Sequence, residues 1–461
     1  MDEFFKSIYC TLFKYWILMQ KIEKCSITLK NENNIVLQSS KCQGDIFFQK
    51  MDIIELKITD LIHQKDEFYL HFQMNNFKHA TQLFYEMKEC IEQLENKKSI
   101  KVLLSCSGGM TTSYFAQLLN EASQVLNLDI HVDAVAYNQI YQVLNHYDIV
   151  FLAPQISYLL SNVKQLSQTI PILSIPGQIF AKYDTKSFID IVLKELDKKD
   201  NQEKVTVNIK RKSKKRKTLL CLSLFKDKER IHILYRYYDK YQKLILDNEI
   251  IKLKISIQDI CDIIRYIIAT YQNLDIIGIS TPGFITKKGM LISTYLNGLD
   301  NCYIYDLLHK EFNQDIYIYN DVNSAAAGYY ASQEDYENLA FIFQPVSHYP
   351  GAGIIVNGQL IKGHANLAGE IQYSSRSLTK EYFSNEKSQQ DILKILVNDV
   401  LAIVSVVDSD IILIYTKLIE QIDDLQKELL KVLPHDSIPV IKKINSINEY
   451  ILIGLLHLCL N

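Results

Sequence analysis

Between residues 98 and 198, short apolar runs alternate with helical stretches on connections of only a few residues. That rhythm leaves few folds open, because strands joined through helices run parallel and need helices on the faces of their sheet. The runs at 102–105, 130–135, 149–153 and 172–175 read as strands, and 112–126, 137–145, 158–168 and 186–195 as helices. The first strand ends in Cys106 and passes through Ser107, Gly108, Gly109, Met110, Thr111, Thr112 and Ser113 as the next helix begins. Glycines let backbone N–H groups turn inward, and the helix N-terminus adds its positive dipole end, so the loop forms an anion cradle. A thiol placed there is biased toward thiolate, the form that attacks phosphorus.

At 461 residues the whole chain is too long for one core and suggests about three domains. Its net charge of −3 gives no global pull toward nucleic acid or membrane. The nine cysteines are scattered and contain no CxxC pair, which points to a reducing, cytoplasmic setting without a metal site or disulfide framework. Tyr9–Met19, broken by Lys14 and flanked by Lys6, Lys21 and Lys24, reads as an amphipathic helix, and Tyr450–Leu460 is too short to span a membrane. Residues 1–97 read as a small α+β module with strands near 26, 34, 45 and 68 and a helix over 77–95. Its His63, His71 and His79 sit in apolar contexts and read as packing or surface residues. Residues 199–217 end in a run of lysines and arginines over 210–217. A solvated linker that cannot pack explains the run better than a nucleic-acid or anionic-surface patch, because no aromatic residue is interleaved. Residues 218–461 mix strands and helices, with a paired opening at 219–224 and 231–235, a helix over 257–271, a buried strand at 276–279, and no apparent internal repeat.

Three chemistries can use a cysteine in an anion cradle. A phosphatase of the CxxxxxR type needs arginine where Thr112 stands, and a thioredoxin-like site needs cysteine where Gly109 stands. What remains is a thiol that accepts a phosphoryl group and hands it on, or a small hydrophobe at a strand end with Thr and Ser capping a helix. Cys106–Ser113 and the later stretch Asp148-Ile-Val-Phe-Leu-Ala-Pro-Gln-Ile-Ser-Tyr resemble the two signatures of the lactose/cellobiose-type IIB component of the bacterial sugar phosphotransferase system. The resemblance implies a four-stranded parallel-sheet, P-loop-like IIB domain over 98–198. It also implies that Cys106 takes phosphate from a IIA phosphohistidine and passes it to a sugar held by a membrane IIC partner, within the loop Ser107–Ser113.

Further on, Ile316-Tyr-Ile-Tyr-Asn-Asp-Val-Asn-Ser-Ala-Ala-Ala-Gly places a carboxylate after a strand and before a helix, a position suited to a general base. With Asn366-Leu-Ala-Gly-Glu-Ile downstream, residues 218–461 resemble the ROK family of sugar kinases and sugar-responsive repressors, which implies an actin-like/ribonuclease H-like domain. Carried over, Asn320 and Asp321 would be sugar contact and catalytic base and Glu370 a contact to sugar hydroxyls, with Gly283, Asn297 and Asn366 weaker matches. Departures stand at the nucleotide side: Leu222-Ser-Leu-Phe-Lys-Asp-Lys-Glu-Arg has no glycine, Ser347-His-Tyr-Pro-Gly replaces a glycine loop, and Tyr415-Thr416 replaces a glycine pair. Each adds side chains where backbone must approach a nucleotide. The family's zinc-binding His is Tyr373 here, with no cysteine until Cys459.

The α/β multidomain chain is therefore expected to be a phosphocarrier fused to a sugar-binding pseudokinase, needing no cofactor and no nucleic acid and compatible with a homo-oligomer. A sugar- and phosphorylation-responsive regulator is the alternative, although residues 1–97 contain no recognisable helix-turn-helix, and an ATP-dependent sugar kinase is disfavoured.

Overall fold

The computed structural model describes residues 3–96, 99–108, 110–126, 128–164, 170–198, 207–227, 229–293, 296, 298–345, 349–374, 389–419 and 422–461. Helix α1 (Glu3–Leu18) leads into an antiparallel meander of β1 (Ser26–Asn31), β2 (Asn34–Gln38), β3 (Cys42–Phe48), β4 (Ile53–Asp60) and β5 (Lys65–Gln73). Helix α2 (Phe77–Glu95) follows, started by Asn76, whose side chain accepts from the His79 amide. Phe13 and Ile17 of α1 are fully buried, and Trp16 meets Phe84 of α2 edge-on at 5.3 Å. The helix is thus amphipathic, with its aromatic side holding it to α2.

The alternating segment folds as its rhythm requires. Strands β6 (Ile100–Cys106), β7 (Ile130–Ala136), β8 (Ile149–Leu152) and β9 (Ile172–Ser174) form a four-stranded parallel sheet ordered β7-β6-β8-β9. Helices α3 (Met110–Val125), α4 (Ile140–Val143), α5 (Leu160–Lys164), α6 (Gly177–Lys182) and α7 (Thr185–Lys198) connect and follow them. The chain leaves β6 for β7 on one side and returns for β8 on the other, so the carboxyl ends of β6 and β8 bound a crevice where such sheets bind ligands.

The C-terminal half opens with β10 (Leu219–Asp227), β11 (Arg230–Tyr238), β12 (Leu244–Lys252), α8 (Ile257–Tyr271) and β13 (Ile276–Thr281). The short pair β14 (Phe284–Ile285) and β15 (Leu291–Ile292), α9 (Ile304–Leu308), β16 (Asp315–Asn320) and α10 (Asp321–Ser332) complete the first lobe. The second lobe contains β17 (Leu339–Gln344), β18 (Gly351–Val356), β19 (Gln359–Leu360), α11 (Gln389–Val407), β20 (Ile411–Thr416), α12 (Asp423–Leu429), β21 (Val440–Ile444) and α13 (Asn448–Leu460). In the first lobe the order β12-β11-β10-β13-β16 is antiparallel for the first three strands and parallel thereafter, and β19-β18-β17-β20-β21 repeats it in the second. This is the ribonuclease H-like order used twice, the actin-like arrangement. The expectation of no internal repeat is corrected in topology, since burial dictates only apolar residues in each strand and leaves their identities free.

Helix α13 crosses back from the second lobe onto the first. The approach needs glycine: a Cβ on Gly328 of α10 would lie 1.7 Å from the Tyr450 carbonyl oxygen, and one on Gly454 of α13 would lie 1.7 Å from that of Ser324.

The N-terminal module does not stand apart. Strand β5 pairs antiparallel with β12, with Tyr69 opposite Ile251, so one sheet of ten strands runs β1-β2-β3-β4-β5-β12-β11-β10-β13-β16. A continuous apolar core reaches from Phe13 to Ile316 beneath it. Polar groups stitch the join: Lys252 of β12 is buried against Glu86 of α2 at 3.1 Å and against Asp259 of α8, and Glu86 also accepts from the Leu253 and Lys254 amides at 3.1 Å. His79 meets Asp262 at 2.7 Å, and buried His71 meets the Tyr235 hydroxyl at 3.2 Å. Burial pushes the His71 pKa down to about 3, so it stays neutral. His63 bonds Asp60 at 2.9 Å in the turn after β4.

The basic run also differs from expectation. Residues 207–217 lie along the second half of the molecule: the Lys210 and Arg211 amides donate to the Ala331 carbonyl, Arg211 pairs with Glu337 at 2.7 Å and covers the Tyr330 ring, and Ser213 donates to the Leu460 carbonyl. Its charges do not prevent packing, because over 207–213 alternate residues are half-buried while Lys210 and Lys212 between them stay exposed.

Replacing Glu86 by alanine leaves the buried Lys252 ammonium short of a partner and is expected to cost about 3 kcal/mol in urea unfolding of the full chain. Lys254→Ala, which removes the solvent-exposed pair with Glu89, is expected to cost under about 1 kcal/mol.

Candidate functional site

Cys106 is the last residue of β6, the strand flanked on both sides by parallel neighbours, and is 3% exposed. Its Sγ lies 3.2 Å from Oγ1 of buried Thr112 in the first turn of α3. A hydroxyl there can donate to a thiolate, and the α3 N-terminus aims its dipole at the same point. Ser107 and Gly108 are exposed beside the sulfur, as are Thr111 and Ser113 on the helix, and a Cβ on Gly108 would meet nothing within 4 Å. Of the remaining loop residues, Gly109 and the Met110 side chain lie outside the described residues. The second sequence signature comes alongside, because the Ala153 amide donates to the Ser105 carbonyl at 2.8 Å and the Pro154 turn starts there. Thus the structure gathers Cys106, Ser107, Gly108, Thr111, Thr112 and Ser113 at the switch point of the sheet.

Two features of this end were not read from the sequence. Tyr114, in the first turn of α3, packs edge-on against Tyr183 at 5.3 Å, and Tyr183 takes a left-handed conformation to close α6. The buried Ser105 hydroxyl, one residue before the cysteine, has no hydrogen-bond partner among the described residues.

The second candidate site lies where β16 meets α10, facing the second lobe. Asn320 caps α10, accepting from the Val322 and Asn323 amides at 2.9 and 3.3 Å, while its Nδ2 donates to the Gly283 carbonyl at 2.6 Å. Gly283 has φ +96°, and a Cβ there would meet the Ile292 carbonyl at 2.3 Å. With Asn320 as the cap, Asp321 is left, among the described residues, with its carboxyl bonded to local amides alone, that of Val322 at 2.9 Å and its own. Burial first, then the nearby Glu370 carboxylate, pushes the Asp321 pKa up to about 7, in the range of a general base at neutral pH. Glu370 is also pushed up by burial and accepts from Gln372 at 2.7 Å. Asn366 donates to the Ile285 carbonyl at 3.1 Å, and Asn297 lies outside the described residues. The structure therefore joins Asn320 and Gly283 by a hydrogen bond and Asp321 and Glu370 through their charges.

The positions that depart from the family at the nucleotide side carry packed side chains. Tyr415 and Thr416 at the end of β20 are buried, and the Tyr415 ring packs on Phe343 at 5.2 Å. The β10–β11 hairpin closes with Asp227 opposite Arg230, and the Phe225 ring stacks on His232 at 4.9 Å. Ser347 and His348 lie outside the described residues. The hydroxyls of Ser223 and Ser280, neighbours across β10 and β13, are buried without a partner among the described residues. A broad groove of about 1060 Å³ over β10, β11 and β12, with Arg236 and His232 in its wall, contains none of the candidate residues.

Residues 101–191 match the family model for the lactose/cellobiose-specific IIB subunit of the phosphotransferase system, and residues 248–374 match the ROK family model. The chain joins a IIB-type domain to a ROK-type domain. Similar curated proteins include the xylose repressor of Caldicellulosiruptor bescii, 28% identical over 134 residues, and the N-acetylmannosamine kinase of Vibrio cholerae, 33% identical over 106 residues. Those stretches are 26% and 22% of this chain, and they span only about a third of the relatives' own lengths, 33% and 36%. Among solved structures, the lactose-specific IIB domain of Streptococcus pneumoniae is 26% identical and covers 21% of this chain and 97% of its own, with a TM-score of 0.20. No helix among the described residues is long and apolar enough to cross a membrane.

A carboxyl whose folded pKa is raised withdraws stability as pH rises. Asp321 should contribute fully below its unfolded value of about 3.9 and lose that contribution as pH passes about 7. Thermal melts of wild type minus Asp321→Asn across pH 4–8 are expected to show the wild type losing ground over that window. A flat difference would contradict the raised pKa.

Proposed function

We propose that the IIB domain is a phosphocarrier of the sugar phosphotransferase system, with Cys106 as the acceptor. The observation that carries this reading is the placement of Cys106 at the carboxyl end of β6, with its sulfur against Thr112 under the α3 N-terminus, inside the segment that matches the IIB model. In the forward step the Cys106 thiolate attacks phosphorus, the S–P bond forms, the N–P bond of a phosphohistidine on a IIA protein breaks, and the imidazole leaves with the electron pair. In the next step the oxygen of a sugar hydroxyl held by a membrane IIC partner attacks phosphorus, the S–P bond breaks with its electron pair returning to sulfur as the thiolate, and the hydroxyl proton passes to a base on the partner or to water. Thr112 and the loop from Ser107 to Ser113 hold the phosphoryl oxygens by hydroxyl and amide donors. Position 112 supplies no guanidinium, so the phosphocysteine stays a competent donor.

For the ROK domain the reading is a sugar-binding pseudokinase in the same cytoplasmic protein. Asn320, Asp321 and Glu370 keep a polar wall for sugar hydroxyls, whereas buried Tyr415 and Thr416 stand where the family has a glycine pair on the nucleotide side. The same observation favours a second role, a regulator that reports sugar occupancy and Cys106 phosphorylation together, since a domain can signal occupancy without turning over ATP.

Incubation with phosphoenolpyruvate, the general phosphotransferase proteins and a panel of IIA proteins is expected to label wild type and leave Cys106→Ser unlabelled. Equal absence of label in both with every IIA protein sinks the carrier reading. Calorimetry with hexoses and amino sugars is expected to give binding that weakens at least about tenfold in Asp321→Ala, the loss of one or two buried hydrogen bonds. ATP-dependent sugar phosphorylation that disappears in Asp321→Asn would overturn the pseudokinase reading.

A further inference from the structure

The basic run is a fixed array of like charges. Its backbone is tied down: Ser213 Oγ donates to the Leu460 carbonyl at 2.7 Å, and Gln242 Nε2 donates to the Ser213 carbonyl at 2.7 Å. Arg211 and Lys217, toward its two ends, pair with Glu337 and Asp315. Lys212, Lys214, Lys215 and Arg216 between them are exposed, and among the described residues none pairs with a carboxylate. Four charges on five consecutive residues lie within about 15 Å of one another along the backbone. Held in order, they repel and have little room to separate, so the array suits an anionic surface better than it suits water alone.

The turn between β11 and β12 joins the same face. Gln242 bonds the run, and the Tyr241 ring lies 5.6 Å from the Arg216 guanidinium and 5.3 Å from the Lys240 ammonium. Lys240 and Lys243 are exposed as well. The one acid in residues 212–216 and 239–245 is Asp239, whose Oδ1 accepts from the Tyr241 and Lys243 amides at 2.8 and 2.9 Å. Beside these cations stand apolar side chains in water: Tyr241 is 63% exposed and Leu244 and Ile245 are each 42% exposed. A chain of net charge −3 thus carries one strongly positive face with an apolar tip.

We propose that this face docks on the anionic surface of a lipid bilayer, its lysines and Arg216 against phosphate headgroups and the Tyr241, Leu244 and Ile245 tip in the boundary beneath them. Charge complementarity calls for a polyanion, and the tip decides which one. Exposed leucine and isoleucine among cations have no use on a phosphodiester backbone, and a Tyr241 ring that already carries two cations is poorly placed to stack on a base. The boundary between headgroups and acyl chains accepts both features, since it takes tyrosine and aliphatic side chains below a layer of negative charge. No helix among the described residues is long and apolar enough to cross a membrane, so this attachment is peripheral and reversible. It goes beyond the phosphocarrier reading and does not rest on it, because Cys106 is on a different domain.

Flotation of the full chain at about 0.1 M salt is expected to carry it up with vesicles of mixed phosphatidylcholine and phosphatidylglycerol, and not with vesicles of phosphatidylcholine alone. Raising the salt to about 1 M, where the Debye length falls to about 3 Å, is expected to release most of it. Lys212→Glu/Lys214→Glu/Lys243→Glu removes no side-chain hydrogen bond or ion pair among the described residues. That variant is expected to bind the anionic vesicles at least about a hundredfold more weakly, with an unchanged thermal melt. Leu244→Ser/Ile245→Ser is expected to weaken binding about tenfold and keep its salt dependence. Cys106→Ser is expected to float as wild type does, so flotation and phosphotransfer can fail separately. Wild type that stays down with the anionic vesicles overturns the proposal, as does binding that survives the triple substitution. Wild type that leaves the anionic vesicles for a mixed-sequence RNA overturns it in favour of nucleic acid.

Discussion

The buried ammonium of Lys252 holds together parts of the chain that lie far apart in sequence. It sits between Glu86 of α2 and Asp259 of α8, and Glu86 turns its other bonds to the amides that follow β12. Three charges out of water are costly apart and tolerable only together, so the cluster fixes α2, β12 and α8 in one geometry. Pairing of β5 with β12 follows from it, and with that pairing the N-terminal meander becomes the outer half of a ten-stranded sheet. The first lobe then presents β13 and β16 at its far side, where Gly283, Asn320 and Asp321 meet.

The two candidate sites use carboxyl ends of parallel strands in different ways. At Cys106 the strand end places a thiol near the N-terminus of α3, 3.2 Å from the Thr112 hydroxyl. At Asp321 the strand end delivers a carboxyl whose proton is held to about pH 7 by burial and by Glu370, while Asn320 takes over the capping duty. In the second lobe, Tyr415 and Phe343, paired across β20 and β17, pack ring against ring. In the proposed account phosphate handling belongs to the first site and sugar recognition to the second, whose sugar-facing wall is kept while side chains stand at its nucleotide positions.

Local structure and loop chemistry were legible in the residues, and long-range pairing was not. The helix over 77–95 and that over 257–271 fall on the elements observed, because apolar spacing and the Asn76 and Ser256 caps are local signals. The Cys106 loop and the Ala153-Pro154 turn come together as their motifs require. Strand β4 carries clean alternation, with Ile54, Leu56 and Ile58 buried and Glu55, Lys57 and Thr59 between them, a period-2 signal that the sequence reading passes over. Nothing local says that β5 finds β12, for the partner lies some 180 residues on and the decisive groups are one lysine and two carboxylates. The basic run failed for a related reason: its inward positions, Arg211 and Ser213, find partners at Glu337 and Leu460, far along the chain. The exposed aromatic missing from that run in sequence is supplied in space by Tyr241, whose ring lies 5.6 Å under the Arg216 guanidinium.

The central claim is that one residue of this chain handles phosphate. A phosphopeptide map of the full chain after phosphotransfer, taken with ATP also present, addresses it directly. The account predicts an acid-stable search that finds nothing beyond background in residues 218–461 and, under conditions that preserve thiophosphate, a single modified peptide containing Cys106. A map with phosphate elsewhere in the chain and an unmodified Cys106 would contradict it.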